Sequence, residues 1–101
     1  MAHVVIWSRG ALRDLEALEE YLQPEEHLEA QQFLLRLVDT PDKLGEHPRL
    51  GRQVPEEGVD YLRELIVGRY RLVYEIGHDR IEILRIIAQS QDFRTAWNRS
   101  Q

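Results

Sequence analysis

The chain has 101 residues, of which 43% are apolar and 31% charged, with a net charge of −5 and no cysteine. That length carries one domain with a core large enough to fold alone, and the missing thiols exclude a disulfide framework, thiolate catalysis and thiolate metal sites. No apolar run approaches the ~18 residues of a membrane span, and "MAHVVIWSRG" lacks a signal peptide's basic-then-apolar order, so a cytoplasmic protein without membrane contact is expected.

In chain order, "HVVIW" (3–7) predicts a short strand, ended by Ser8, a good helix N-cap residue. Ala11, Leu15, Leu18 and Leu22 then recur at helical spacing with Leu12 beside them, which predicts a helix over roughly 9–23. Arg13, Asp14, Glu16, Glu19 and Glu20 fall mainly on its wet side. Pro24 stands where a second helix can begin, with Glu25 and Glu26 at its positive end. Its inner stripe over 25–39 is Ala30, Phe33, Leu34, Leu37 and Val38. Thr40-Pro41 stops it, because proline lacks the N–H and crowds the preceding turn; "TPDKLGEHP" adds one more turn before Gly45.

Residues 47–60 read as loop, with two prolines, two glycines and no sustained period. Strands are predicted at 61–67, 70–76 and 80–88, joined by a tight Gly68-Arg69 turn and by "GHD", and a short last helix at 92–99. The fold class expected is α+β: a single domain over 1–101, ordered β-α-α-β-β-β, with a small antiparallel sheet covered on one face by an N-terminal helical hairpin.

The strand half is unusual in its arginines. Residues 62–87, "LRELIVGRYRLVYEIGHDRIEILRII", hold five of them, and twelve of the thirteen cations in the chain are arginine. Residues 1–48 carry ten acidic against four basic side chains, residues 49–101 eight against nine. The overall acidity opposes loose, salt-driven binding to nucleic acid. Strict alternation puts Tyr70, Leu72, Tyr74 and Ile76 on one face and Arg71, Val73 and Glu75 on the other. It likewise groups Ile81, Ile83, Arg85 and Ile87 against Glu82, Leu84, Ile86 and Ala88. Arg71 and Arg85 therefore sit among branched apolar residues and need anionic partners. Glu64, Glu75 and Glu82 are the sheet carboxylates at hand, and ion pairing within the sheet is the expectation, with contacts to a partner second and catalysis a distant third.

Other constellations carry less. His3, His27, His47 and His78 lack metal-ligand spacing, no Gly-rich loop opens a helix in the phosphate-binding manner, and neither Ser8 nor Ser90 has triad partners at motif spacing. Trp7 and Tyr74 read as core. No metal or other cofactor is expected.

The order of elements, with "WSRGALRDLEALEEYL", "HPRLGRQVPE" and "LRELIVGRYRLVYEI" followed by "RIEILRI", resembles the RelE/ParE superfamily of type II toxin–antitoxin toxins. The resemblance runs from Trp7 to about Asp92 and is closer to the ParE branch. It implies a small toxin of bacterial or plasmid origin, neutralised in a hetero-oligomer by an antitoxin encoded beside it. RelE-like members cut mRNA in the ribosome; studied ParE-like members inhibit DNA gyrase and lack a nuclease site. Metal-free RNA cleavage needs a base for the 2′-hydroxyl, an acid for the departing 5′-oxygen and cations on the phosphate. Arg71 matches a strand arginine of those nucleases, and Arg63 stands near their strand lysines. After the last strand, Gln91 falls roughly where a cation belongs and Trp97 near the Tyr, and neither delivers a proton. The resemblance thus implies a growth-inhibiting toxin that binds gyrase without chemistry of its own. An RNase using Arg63, Arg71 and Arg85, or an antitoxin-binding module that poisons nothing, are the alternatives. The residues expected at a partner surface are Arg63, Arg69, Arg71, Arg85, Phe93, Arg94 and Trp97.

Overall fold

Ser8 decides where the first strand becomes a helix. In the computed structural model, which describes residues 2–99, strand β1 (Val4–Trp7) runs into Ser8, whose Oγ accepts the Ala11 N–H at 3.0 Å and caps helix α1 (Arg9–Leu22). Gln23 ends α1 in the left-handed region at φ 50°, its N–H bonded to the Glu19 carbonyl. That reversal uses residues 24–26 as a turn, held by the Gln31 side chain donating to the Pro24 carbonyl at 2.7 Å. Helix α2 (Leu28–Asp39) consequently starts three residues later than the proline suggests. A 3-10 helix over Thr40–Gly45 follows with Pro41 in its first turn, the extra turn expected before Gly45.

Strands β2 (Arg52–Gln53), β3 (Leu62–Val67), β4 (Tyr70–Ile76) and β5 (Arg80–Ala88) and helix α3 (Phe93–Arg99) complete the chain. The sheet order is β1-β5-β4-β3-β2, and β2 through β5 are antiparallel neighbours. The α+β class and the helical hairpin on one face are as the sequence predicts. The first strand departs from the expected antiparallel sheet, because β1 pairs parallel with β5, from Val4↔Arg80 to Trp7↔Ile83. No tight turn ties β1 to β5, so its direction is set by the helical crossover rather than by a hairpin. The two-residue β2 lies inside the segment that reads as loop.

A β-bulge re-sorts the last strand. Val73 pairs with Arg85 and Tyr74 with Ile83, which leaves Leu84 as the extra residue on β5. Beyond it the alternation flips: Ile81, Ile83 and Ile86 join the core under α1 and α2, while Leu84 and Ile87 face the other way. The strict grouping of Ile81, Ile83, Arg85 and Ile87 is thereby corrected. Both faces of the sheet are covered. Leu34, Leu37, Leu44, Leu72 and Tyr74 lie in the larger core. Phe93, Ala96 and Trp97 of α3 close a smaller one over Val54, Leu62, Val73 and Ile87. Leu12 and Val38 stay outside, 44% and 41% exposed. No helix among the described residues is long and apolar enough to cross a membrane.

Tyr74 ties the 47–60 segment to the sheet. Its buried hydroxyl donates to the Pro48 carbonyl at 2.6 Å and accepts the Gly51 N–H at 2.9 Å, and burial pushes its pKa up. A Cβ at Gly51 would stand 2.4 Å from the Glu64 carbonyl, so only glycine passes there. Tyr74→Phe leaves the buried Gly51 N–H and the half-buried Pro48 carbonyl without their partner and is expected to cost about 1–3 kcal/mol. Urea unfolding should show a lower midpoint at unchanged slope.

Candidate functional site

Glu64 and Arg71 meet because of the β3–β4 register. Glu64 lies opposite Val73 and Ile66 opposite Arg71, so the two side chains are diagonal neighbours on one face. The pair is buried, with Glu64 at 1% and Arg71 at 8% exposure. Arg71 Nε donates to Glu64 Oε1 at 2.6 Å, while Nη1 and Nη2 fork onto Glu56 at 3.0 and 2.6 Å. Arg52 Nε donates to the other Glu64 oxygen at 2.8 Å. The Phe93 ring lies 4.3 Å from the Arg71 guanidinium carbon, and Arg94 donates to the Glu56 carbonyl at 3.0 Å. Two cations and two anions balance, as burial demands. The Arg71 hydrogen bonds hold the Glu56 carboxyl below its ordinary value, with desolvation acting against them.

Arg85 finds its partner outside the sheet. Its Nε donates to Asp14 Oδ2 of α1 at 2.7 Å, and its Nη1 to the Ala96 carbonyl of α3 at 2.8 Å. Among the described residues neither Glu75 nor Glu82 forms an ion pair; they stand opposite each other in the β4–β5 register. The expected sheet carboxylates therefore serve Arg71 in one case, Glu64, and Arg85 in none. The bulge is the reason, since it lies directly before Arg85 and redirects the strand there. Arg63 donates through Nη2 to Asp60 Oδ1 at 2.8 Å and through Nη1 to the Gly51 carbonyl at 2.9 Å.

The remaining expected contact residues divide by exposure. Phe93 and Trp97 are buried at 3% and 9%, their rings stacked at 5.6 Å. Arg94 and Arg69 are exposed, and Arg69 sits at the β3–β4 turn without an ion pair among the described residues. Gln91 Oε1 accepts the Ala88 N–H at 2.9 Å, a strand-end cap. Sequence reasoning missed Glu56, Arg52 and Asp14. Loop residues carry no period, and Asp14 reads only as part of a wet helix face. Among the described residues no group of three or more His, Asp or Glu side chains is placed to hold a metal.

A helical hairpin on a five-stranded sheet, with strand arginines paired to carboxylates, defines a small α+β domain. Residues 5–93 match the family described as ParE toxin of type II toxin-antitoxin system, parDE, and the chain belongs to that family, within the RelE/ParE superfamily. It is 36% identical over 83 residues to Toxin RelE2 of Caulobacter vibrioides, covering 81% of this chain and 90% of that one. Among solved structures it is similar to a chromosomal ParDE toxin–antitoxin system from P. aeruginosa, with TM-score 0.68, 22% identity and coverage of 86% and 96%. The RelBE2 toxin–antitoxin complex from Mycobacterium tuberculosis matches with TM-score 0.64, 23% identity and coverage of 90% and 95%. At those identities the structural matches speak for the fold.

Arg71→Ala leaves Glu64 and Glu56 without their shared cation and is expected to cost about 3–5 kcal/mol, read as a lower thermal midpoint. The depressed Glu56 pKa has a definite sign. Its contribution is fully present above the ordinary value of 4.5 and is lost as pH falls through the lower native value. Glu56→Gln should therefore flatten the acid limb of a stability–pH curve below pH 4.5, measured by unfolding at successive pH values.

Proposed function

We propose that this type II toxin is ParE-like: it arrests growth by binding DNA gyrase and breaks no bonds itself. A cognate antitoxin neutralises it in a hetero-oligomer. The observation that carries this is the engagement of Arg71, the residue at the nuclease position, through all three of its nitrogens with Glu64 and Glu56. To clamp a phosphate with its fork it would have to release the half-buried Glu56 carboxylate. Arg85 is held likewise by Asp14, and Gln91 and Trp97 supply neither acid nor base. Both antitoxin partnership and the cytoplasm, where gyrase works, belong to this proposal. Of the expected contact residues, direct contact falls to the exposed Arg69 and Arg94. Arg63, Arg71 and Arg85 are engaged by partners within the domain, and Phe93 and Trp97 are buried.

A second reading has one observation in its favour, the 36% identity to a protein named Toxin RelE2. In that reading Arg63, Arg71 and Arg85 would leave their internal partners to act on ribosome-bound mRNA. Controlled expression separates the two. Gyrase poisoning gives filaments and a DNA-damage response, together with inhibited supercoiling by purified gyrase, and this is the expected result. Rapid translation arrest with cleaved mRNA, lost in an Arg71→Ala variant that still melts like the parent, would establish the RNase. Growth unaffected by the chain would leave an antitoxin-binding module.

A further inference from the structure

Strand β1 forms one edge of the sheet, and half of its backbone polar groups point away from it. Val4 N–H donates to the Asp79 carbonyl at 3.1 Å and Ser8 N–H to the Ile83 carbonyl at 2.9 Å. In a parallel ladder that alternation turns Val4, Ile6 and Ser8 toward β5 and the N–H and C=O groups of Val5 and Trp7 outward. The 3-10 helix reaches only the start of this edge, where the His3 N–H donates to the Gly45 carbonyl at 2.8 Å. Among the described residues no partner meets the outward groups of Val5 and Trp7. Nor is the edge guarded, for "VVIW" carries no charge, proline or bulge. Val5 and Trp7 send their side chains into the larger core, which leaves Val4 and Ile6 on the opposite face, Val4 at 64% exposure.

We propose that this edge pairs with β1 of a second copy of the chain, antiparallel about a twofold axis through Ile6. Val5 N–H then donates to the Trp7 carbonyl of the copy and Trp7 N–H to its Val5 carbonyl, and the axis repeats both bonds. The two sheets become one across the pair. Ile6 meets Ile6 of the copy on the open face, with Val4 as its diagonal neighbour, so the exposed apolar side chains cover each other. A strand from any protein offers backbone groups; the ends of the edge select a second copy. The axis brings Arg9, one residue past the strand, beside His3 of the copy, where Gly45 and Glu46 stand. Arg9 and Glu46 are both exposed, and among the described residues neither forms an ion pair. Unlike charges therefore meet at both ends of the pairing. The inference is independent of the cellular target.

The chain has no cysteine, so one substitution supplies its only thiol. Ile6→Cys puts that thiol on the axis, in a non-hydrogen-bonded cross-strand pair whose Cβ atoms approach to about 4.5 Å. Mild oxidation of the purified chain, without antitoxin, should convert Ile6→Cys to a disulfide-linked dimer. Leu35→Cys, on α2 at 62% exposure, should stay monomeric under the same treatment. Val5→Pro deletes an outward donor and keeps the strand extended. Sedimentation of the parent from about 1 to about 500 µM should show monomer passing into dimer, with the dissociation constant raised about tenfold or more in Val5→Pro. That variant should melt with the parent at the dilute end; if it melts lower, the two thiol variants and the parent's sedimentation decide. A parent that stays monomeric throughout overturns the proposal. So does equal cross-linking of the two thiols, or a dimer that Val5→Pro leaves as tight as the parent's. Titration with the product of the neighbouring open reading frame covers the other occupant. A monomeric parent whose Val5→Pro variant binds that product more weakly gives the edge to the antitoxin and overturns the second copy.

Discussion

The interaction on which the most structure depends is the buried carboxylate of Glu64. Its side chain is fully shielded from water, so each oxygen must face a cation or a donor. Arg71 answers from β4 and Arg52 from β2, which ties both neighbours of β3 to one group. Arg71 in turn recruits Glu56, Phe93 stacks on its face, and Arg94 bonds the Glu56 backbone. Through one acid the 47–60 segment, the sheet and α3 become a single arrangement. Replacing the whole cluster by apolar residues of equal volume need not cost stability, but removing one member strands the others.

A second acid manages the sheet edge. Strand β1 pairs only with Arg80–Ile83 of β5, so the later β5 backbone groups need other partners. Ser8 Oγ donates to the Leu84 carbonyl at 3.0 Å, Asp14 accepts the Ile86 N–H at 2.8 Å, and Gln91 accepts the Ala88 N–H at 2.9 Å. Side chains thus close an edge that would otherwise invite another strand. An apolar groove stays open between the helical hairpin and the β3–β4 turn.

The same wiring bears on chemistry. The fold neighbours include both a ParDE and a RelBE system, so the scaffold alone does not choose between targets. In this chain the strand arginines are already engaged: Arg71 and Arg85 are committed to carboxylates and a helix carbonyl within the domain. A guanidinium in that state stabilises a fold more readily than a transition state, because its charge is already balanced.

Local chemistry made much of this legible. The 3.6 and 2.0 periods mark both long helices and three strands, Ser8 is the N-cap it resembles, and Gly68 makes the turn its neighbours require. Tertiary structure decided the direction of β1, the bulge at Leu84, the second core beneath α3, and the choice of Glu56 and Asp14 over Glu75 and Glu82. Alternation reports which face a residue takes while a strand stays regular; it carries no strand direction and fails past an inserted residue. Nor does charge pattern name partners, for a guanidinium takes the carboxylate that packing brings within about 3 Å, and Asp14 and Arg85 are brought together across most of the chain only once α1 lies on β5.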